Sequence, residues 1–202
     1  MLGGWDKPEV AQAQRDLVLK ELQHARDVEP FAAFDWAIGQ ISLFTASLLD
    51  VGCGVGHYAI LCERNHPRVA YTGTDASAAI IAEARQLAPL AKFDVRDFSD
   101  NDFEDYDIVM ASQCVETLPD PMFALEILLK RCSRYIILNR IRLTEPRSDP
   151  SHAIEEGTYC GNVGRNWLWN EREITSFIGG YANIAGRYGW DNQICLVLKK
   201  GD

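Results

Sequence analysis

The residues best suited to chemistry are Asp50, Gly52, Gly54 and Gly56, in the run Leu48-Leu-Asp-Val-Gly-Cys-Gly-Val-Gly-His-Tyr-Ala59. The apolar start reads as a strand that ends in an acid and runs into a tight turn. Glycine at three alternate positions permits positive φ and removes the side chains that would hold a ligand away from the main chain. Amides opening the next helix, near Gly56 to Ala59, face the same space and favour polar or anionic groups. The spacing departs from the dinucleotide fingerprint G-x-G-x-x-G, because His57 stands where its third glycine belongs. An acid at the strand end suits the ammonium or sulfonium side of a cationic cofactor better than a diphosphate.

Two further acids extend this constellation. Asp75 ends a second alternating segment, Arg68 to Thr74, and lies 25 residues beyond Asp50, a position from which a carboxylate accepts hydrogen bonds from a ribose diol. Its alternative role is to cap the helix predicted over Ala76 to Leu87, which Ser77 could also do. Asp97 follows a short third strand, Ala91 to Val95, where a carboxylate can accept from an exocyclic amine while a neighbouring backbone N–H donates to a ring nitrogen. The alternative is a turn cap, and Asp94 points to the opposite strand face.

The elements that must position these groups follow from periodicity. Pro8 opens an amphipathic helix to about Arg26, and a second helical segment runs from Phe31 to about Phe44, with Phe31, Phe34, Trp36 and Ile38 packing on a sheet face. Met1 to Lys7 is an arm or lid carrying Trp5. A helix is expected over His57 to Asn65, a solvated acidic loop over Asp100 to Asp107, and strands over Tyr106 to Ala111 and Arg134 to Ile141. Between those strands lie a loop, Ser112 to Asp120, and a helix, Pro121 to Cys132. Leu143 to Trp169 breaks the alternation with prolines and glycines yet holds His152, Glu155, Glu156, Tyr159, Arg165, Trp167 and Trp169, which marks an irregular functional loop. Asn170 caps a helix Glu171 to Ile178, and Tyr181 to Tyr188 and Gln193 to Lys199 form late strands around a turn at Gly189 to Asn192. Alternating strands and helices give an α/β fold with a doubly wound, mostly parallel sheet that binds ligands beyond the carboxyl ends of its strands.

Composition bounds the function. With 202 residues the chain fits one domain, divided here into an arm with helices (1–45), a cofactor-binding core (46–142), a substrate-side loop (143–170) and a closing helix with hairpin (171–202). The formal net charge of −9 disfavours nucleic acid, whose affinity rests on Lys and Arg at phosphates. Lys130, Arg131, Arg134, Arg140, Arg142 and Arg147 form a basic cluster read as decoration of a helix and strand surface. Six cysteines without a C-x-x-C pair support neither disulfides nor a metal site, and with no membrane-spanning run a cytoplasmic setting is expected. Cys114 is read as a small buried thiol.

Taken together, Leu49-Asp-Val-Gly-Cys-Gly-Val-Gly56, Tyr71-Thr-Gly-Thr-Asp-Ala-Ser77, Phe93-Asp-Val-Arg-Asp-Phe98 and Asp105-Tyr-Asp-Ile-Val-Met-Ala-Ser112 resemble the ordered motifs of class I S-adenosylmethionine-dependent methyltransferases of the small-molecule type. The resemblance covers about Leu48 to Leu138. It implies a seven-stranded Rossmann-like methyltransferase fold with an antiparallel last strand, and S-adenosyl-L-methionine as cofactor with S-adenosyl-L-homocysteine as product. Asp50, Gly52, Cys53, Gly54 and Gly56 would hold the methionine part, Asp75 the ribose, Ala76 and Ser77 the adenosine edge, Asp97 the adenine amine with Phe98 beside the ring, and Ser112 the backbone near the methionine. The chain lacks the Pro-Pro-aromatic and Pro-Cys motifs of nucleic-acid enzymes after its fourth strand. Val115 to Asp120 instead looks like the equivalent segment of small-molecule enzymes, though without the histidine they often carry there. Direct in-line transfer to O, N or S of a small molecule is the expected reaction, with His152, then Glu116 and Tyr159, as candidate bases. A methyltransferase acting on protein or RNA, an NAD-type oxidoreductase and a non-catalytic cofactor-binding protein are the alternatives. Neither the acceptor atom nor the oligomeric state is readable.

Overall fold

The computed structural model describes residues 4–144 and 153–201. Among these residues nine strands and six α-helices follow in the order α1 (Pro8–Gln23), α2 (Glu29–Gly39), β1 (Ala46–Val51), α3 (His57–Asn65), β2 (Val69–Asp75), α4 (Ala78–Leu87), β3 (Lys92–Val95), β4 (Ile108–Ser112), α5 (Pro121–Arg131), β5 (Tyr135–Arg142), β6 (Ala153–Tyr159), β7 (Asn162–Leu168), α6 (Glu171–Gly179), β8 (Asn183–Trp190) and β9 (Gln193–Lys199). Prolines sit in the first turns of α1, α2 and α5, where a missing N–H costs nothing. Ser77, Asp120 and Asn170 cap α4, α5 and α6 through their side chains.

Seven strands form one sheet in the order β3-β2-β1-β4-β5-β9-β8. β1 to β5 pair in parallel, and β9 inserts antiparallel between β5 and β8. This is the doubly wound, mostly parallel sheet expected, with the last strand antiparallel. Successive side chains of a strand point to opposite faces, and the two cores follow that rule. Leu48, Ile108, Met110, Ile137, Cys195 and Val197 face α2, α3 and α4. Leu49, Val109, Ala111, Ile136, Leu138, Leu196 and Leu198 face α5 and α6. Apolar runs buried on both faces are what parallel strands require.

Three expectations about elements are corrected. The second helix stops at Gly39 rather than Phe44, and Phe44 lies exposed beneath the Arg68 guanidinium, 4.0 Å from its ring centre. The acidic loop is not simply solvated: Phe103 is fully buried, and Asn101 donates to the carbonyls of Asp97 and Phe98 at 3.0 Å each. Most of the described part of the irregular loop is a hairpin, β6 and β7 pairing antiparallel around Cys160 and Gly161, whose φ values of 49° and 79° fit a two-residue turn. Its polar strands carry no apolar alternation, and Ile154 and Val163 are exposed. Backbone bonds from Trp169 N to Arg142 O (2.8 Å) and from Thr144 N to Trp169 O (3.0 Å) root it at the end of β5.

Candidate active site

The carboxyl ends of β1, β2 and β4 converge on the glycine turn. Gly52, Gly54 and Gly56 all take positive φ, at 71°, 55° and 82°. A Cβ on Gly52 would meet Cys114 Sγ at 2.4 Å, and one on Gly56 would meet Phe93 at 2.7 Å, so the turn is held closed on both sides by packing. Asp50 is fully buried behind it. Its Oδ2 accepts the Tyr71 hydroxyl at 2.6 Å, whereas its Oδ1 is buried with no hydrogen-bond partner. Burial pushes the carboxyl up to about 7 against the opposing effect of the Tyr71 bond, and the Asp75 charge adds to the rise. Cys53 packs in the turn with its thiol against the Gly54 carbonyl at 3.4 Å, its pKa raised by burial.

Asp75 stands at the end of β2 and accepts from Gly54 N (3.3 Å) and Ser77 N (2.9 Å). Burial raises its pKa, while the amides of Ser77, Gly54 and Ala76 act in the opposite direction. Ser77, not Asp75, caps α4, accepting from Ile80 N at 3.2 Å. The Ser77 hydroxyl also lies 3.0 Å from the Trp5 carbonyl and 3.2 Å from Asp6 Oδ1. The described part of the N-terminal arm therefore lies across the adenosine side of the expected pocket. Asp97 precedes a one-turn helix without its side chain capping it, and the carboxylate is exposed; Phe98 beside it is buried against Phe103, ring centres 5.7 Å apart.

Ser112 ends β4 and belongs to a network that runs across the sheet. Its Oγ lies 2.9 Å from the Tyr58 hydroxyl, which accepts from Asn139 Nδ2 at 2.8 Å. Asn139 also donates to Pro30 O at 3.1 Å and accepts Arg140 N at 3.0 Å. β5 shifts register between Leu138 and Ile141, and Arg140 takes a φ of 60°, rare for a residue with a side chain. Arg140 was grouped with the surface cations by sequence; the bulge instead turns it inward, where its charge bears on Glu21, His57, Tyr58, Glu116 and Tyr159. A polar pair, Asn139-Arg140, interrupting an otherwise apolar strand near its carboxyl end is the signal that identifies it.

The candidate bases lie in different settings. His152 and Arg147 fall outside the described residues. Glu116 is 5% exposed and accepts the Trp169 indole N–H at 3.1 Å, in a cavity of about 10 Å³ also lined by Val115, Leu125 and Ile141. That space holds about one water molecule. Burial raises Glu116 to about 7 despite the Trp169 bond and the Arg140 and Arg142 charges. Tyr159 closes the hairpin over the N-terminal arm, its ring 6.0 Å from that of Trp5, and burial lifts its hydroxyl to about 12. His57 stacks between Phe31 and Tyr58, at 5.3 Å and 4.2 Å between ring centres, and burial together with Arg140 lowers it to about 3. Trp169 is a core residue and Trp167 half-buried beside it. All six cysteines are free.

Residues 49–134, which contain the glycine turn, Asp75, Asp97 and Ser112, match the family described as "Methyltransferase domain". Over these residues the chain is similar to a methyltransferase domain. A trans-aconitate 2-methyltransferase of Variovorax paradoxus is 28% identical over 144 residues, covering 69% of this chain and 55% of that protein. One from Escherichia coli O1:K1 is 34% identical over 76 residues, 36% of this chain and 29% of its own length. The chain thus spans about half the length, or less, of these curated relatives. Among solved structures, the domain resembles the magnesium protoporphyrin IX methyltransferase of Synechocystis PCC 6803 with bound SAM, with a TM-score of 0.65 and 18% identity over 91% of this chain and 84% of that one. An amino pentose methyltransferase of Micromonospora echinaspora, also SAM-bound, gives 0.65 and 18% over 91% and 97%. At these identities the likeness speaks for the fold. No helix among the described residues is long and apolar enough to cross a membrane.

Proposed function

We propose that this domain moves the methyl group of S-adenosyl-L-methionine to a small-molecule acceptor by direct in-line displacement. The observation that carries this reading is the glycine turn with a buried carboxylate behind it: three glycines expose bare backbone, and Asp50 Oδ1 is buried and unpartnered. An unsatisfied buried carboxylate oxygen facing such a turn fits the ammonium side of an amino-acid cofactor.

In this reading Gly52, Cys53, Gly54 and Gly56 hold the methionine part, with Ser112 anchored beside them by Tyr58. Asp75 receives the ribose hydroxyls, Ala76 and Ser77 line the adenosine edge, and the open carboxylate of Asp97 takes the adenine amine with Phe98 flanking the ring. The cofactor supplies a methyl group already activated on a sulfonium. The protein's task is therefore alignment and exclusion of water, which can supply roughly 7–11 kcal/mol in favourable cases. Trp5 and Tyr159 meet over the site and suit that exclusion. Tyr159, with its hydroxyl lifted to about 12, orients an acceptor rather than taking its proton. Glu116 is tuned toward neutrality but tied to Trp169, which makes it the anchor of the hairpin root. His152 stays a proposed base for an acceptor that must lose a proton. The small-molecule names of the relatives and the net charge of −9 favour a metabolite over a nucleic acid, and a cytoplasmic setting goes with that.

The test is transfer of radiolabelled methyl from S-adenosyl-L-methionine into a fractionated metabolite extract. Label is expected in a small-molecule fraction; label only in protein or RNA would replace the acceptor class.

A further inference from the structure

The sheet builds one feature that cofactor binding does not use. Arg140 sits at the bulge of β5, in left-handed backbone geometry, and Asn139 braces that geometry by accepting the Arg140 N–H while donating to Tyr58 and to the Pro30 carbonyl. Strained conformations of this kind persist where surrounding structure enforces them, and they cluster at binding sites. The bulge thus places Arg140 near the carboxyl end of β5, on the side of the sheet where ligands bind in such folds.

What the guanidinium meets there is incomplete. Arg134 and Arg142 on the same strand or beside it have carboxylate partners, Asp107 and Glu155. Arg140 forms no ion pair among the described residues, and its Nε is buried with no hydrogen-bond partner. The groups its charge bears on are the His57 ring, the Tyr58 and Tyr159 hydroxyls, the buried Glu116 held by Trp169, and the half-buried Glu21 of α1, whose pKa burial raises and Arg140 lowers; none of them forms an ion pair with it. A guanidinium with an unsatisfied buried donor and no carboxylate partner among the described residues matches one ligand chemistry above others. A planar carboxylate fills two parallel N–H donors at once.

We propose that Arg140 binds a carboxylate of the methyl acceptor, so that the substrate is an anionic carboxylic acid and Arg140 sets its orientation against the glycine turn. This rests on the methyltransferase reading above, and it adds the acceptor's charge and functional group. Asn139 is the positioning residue, acting through the backbone of Arg140. Glu21 competes with the acceptor for the same cation and is displaced or protonated when the acceptor binds.

The experiment is calorimetric titration of the full chain with succinate and citrate, in the presence of saturating S-adenosyl-L-homocysteine, with inorganic phosphate as comparator. The wild type should bind a carboxylate saturably and more tightly than phosphate. Arg140→Gln should weaken that binding at least tenfold, Arg140→Lys should fall between, and Arg134→Gln should leave it unchanged. Glu21→Gln removes the facing carboxylate and should tighten binding several-fold, a gain that no folding defect produces. Equal binding by wild type and Arg140→Gln, preference for phosphate, or no gain in Glu21→Gln would overturn the assignment. Binding of S-adenosyl-L-homocysteine without either carboxylate would overturn it and leave the methyltransferase reading standing; failure of S-adenosyl-L-homocysteine to bind would remove that reading and this one with it.

Discussion

The hydroxyl of Tyr71 lies 2.6 Å from Oδ2 of Asp50, and this bond satisfies one of the two oxygens of a carboxyl group sealed beneath the glycine turn. Burial outweighs it and lifts Asp50 from the usual 3.8 to about 7. The folded protein then binds this proton more tightly than the unfolded chain. The stabilisation is complete below about pH 3.8 and is lost as pH climbs through about 7. A displacement of that size corresponds to about 4 kcal/mol. Asp50→Asn keeps an acceptor for Tyr71 and removes the titration. In the absence of cofactor it should lie closest to the wild type near pH 4 in thermal denaturation and exceed it at pH 8, while binding S-adenosyl-L-homocysteine more weakly. A stability difference independent of pH would contradict the buried, proton-holding Asp50.

Gly56 tests how tightly the turn is built. Its φ of 82° and the 2.7 Å approach of Phe93 to a Cβ both oppose a side chain. Gly56→Ala should cost about 3 kcal/mol, combining left-handed strain with overpacking. Gly157→Ala, in open space on β6, should stay within about 0.5 kcal/mol. Denaturant midpoints of the two variants make the comparison.

Asn139 carries three hydrogen bonds from one buried amide. Asn139→Ala leaves Tyr58 and the Pro30 carbonyl without their donor and frees the bulge, for a loss of about 3 kcal/mol. In a chain of this size that lowers Tm by roughly 6–12 °C. An unchanged Tm would mean that the bulge is held by the strand pairing alone.

Glu116 and Trp169 form the corresponding joint on the other face. Trp169→Phe strips the buried carboxyl of its donor and should cost about 1–3 kcal/mol beyond the lost packing at pH 8, where Glu116 is ionised. Because Glu116 is raised from 4.5 to about 7, its contribution also falls as pH rises through that range. The penalty should shrink at pH 5, and in the Glu116→Gln background it should lose its pH dependence. Melting curves of the two single variants and the double variant at both pH values decide this.

The sheet was legible because its strands are buried on both faces: Leu48-Leu49 and Ile108-Val109-Met110 read as strands from apolarity and β-branching alone. The helix His57–Asn65 and the capping Asn170 were equally plain, since positive-φ glycines and a side-chain cap are local signals. The hairpin β6–β7 was not. Its pairing is local, but its faces are polar, so no apolar alternation marks the two strands in the sequence. Arg140 was hidden for a related reason: a one-residue bulge reverses which face a side chain occupies, and periodicity assumes that no bulge exists. Asp75 and Asp97 stood out because each ends a recognisable strand, whereas the Tyr58–Ser112–Asn139 network joins three elements and exists only in the folded chain.

The central claim is that the turn from Asp50 to Gly56, with Asp75, forms a site for S-adenosyl-L-methionine. Calorimetry of S-adenosyl-L-homocysteine and of NAD against the wild type and Asp75→Ala tests it most directly. Micromolar-range binding of S-adenosyl-L-homocysteine alone, weakened at least tenfold in Asp75→Ala, is the predicted result; preference for NAD, or an affinity for S-adenosyl-L-homocysteine unmoved by the substitution, would contradict it.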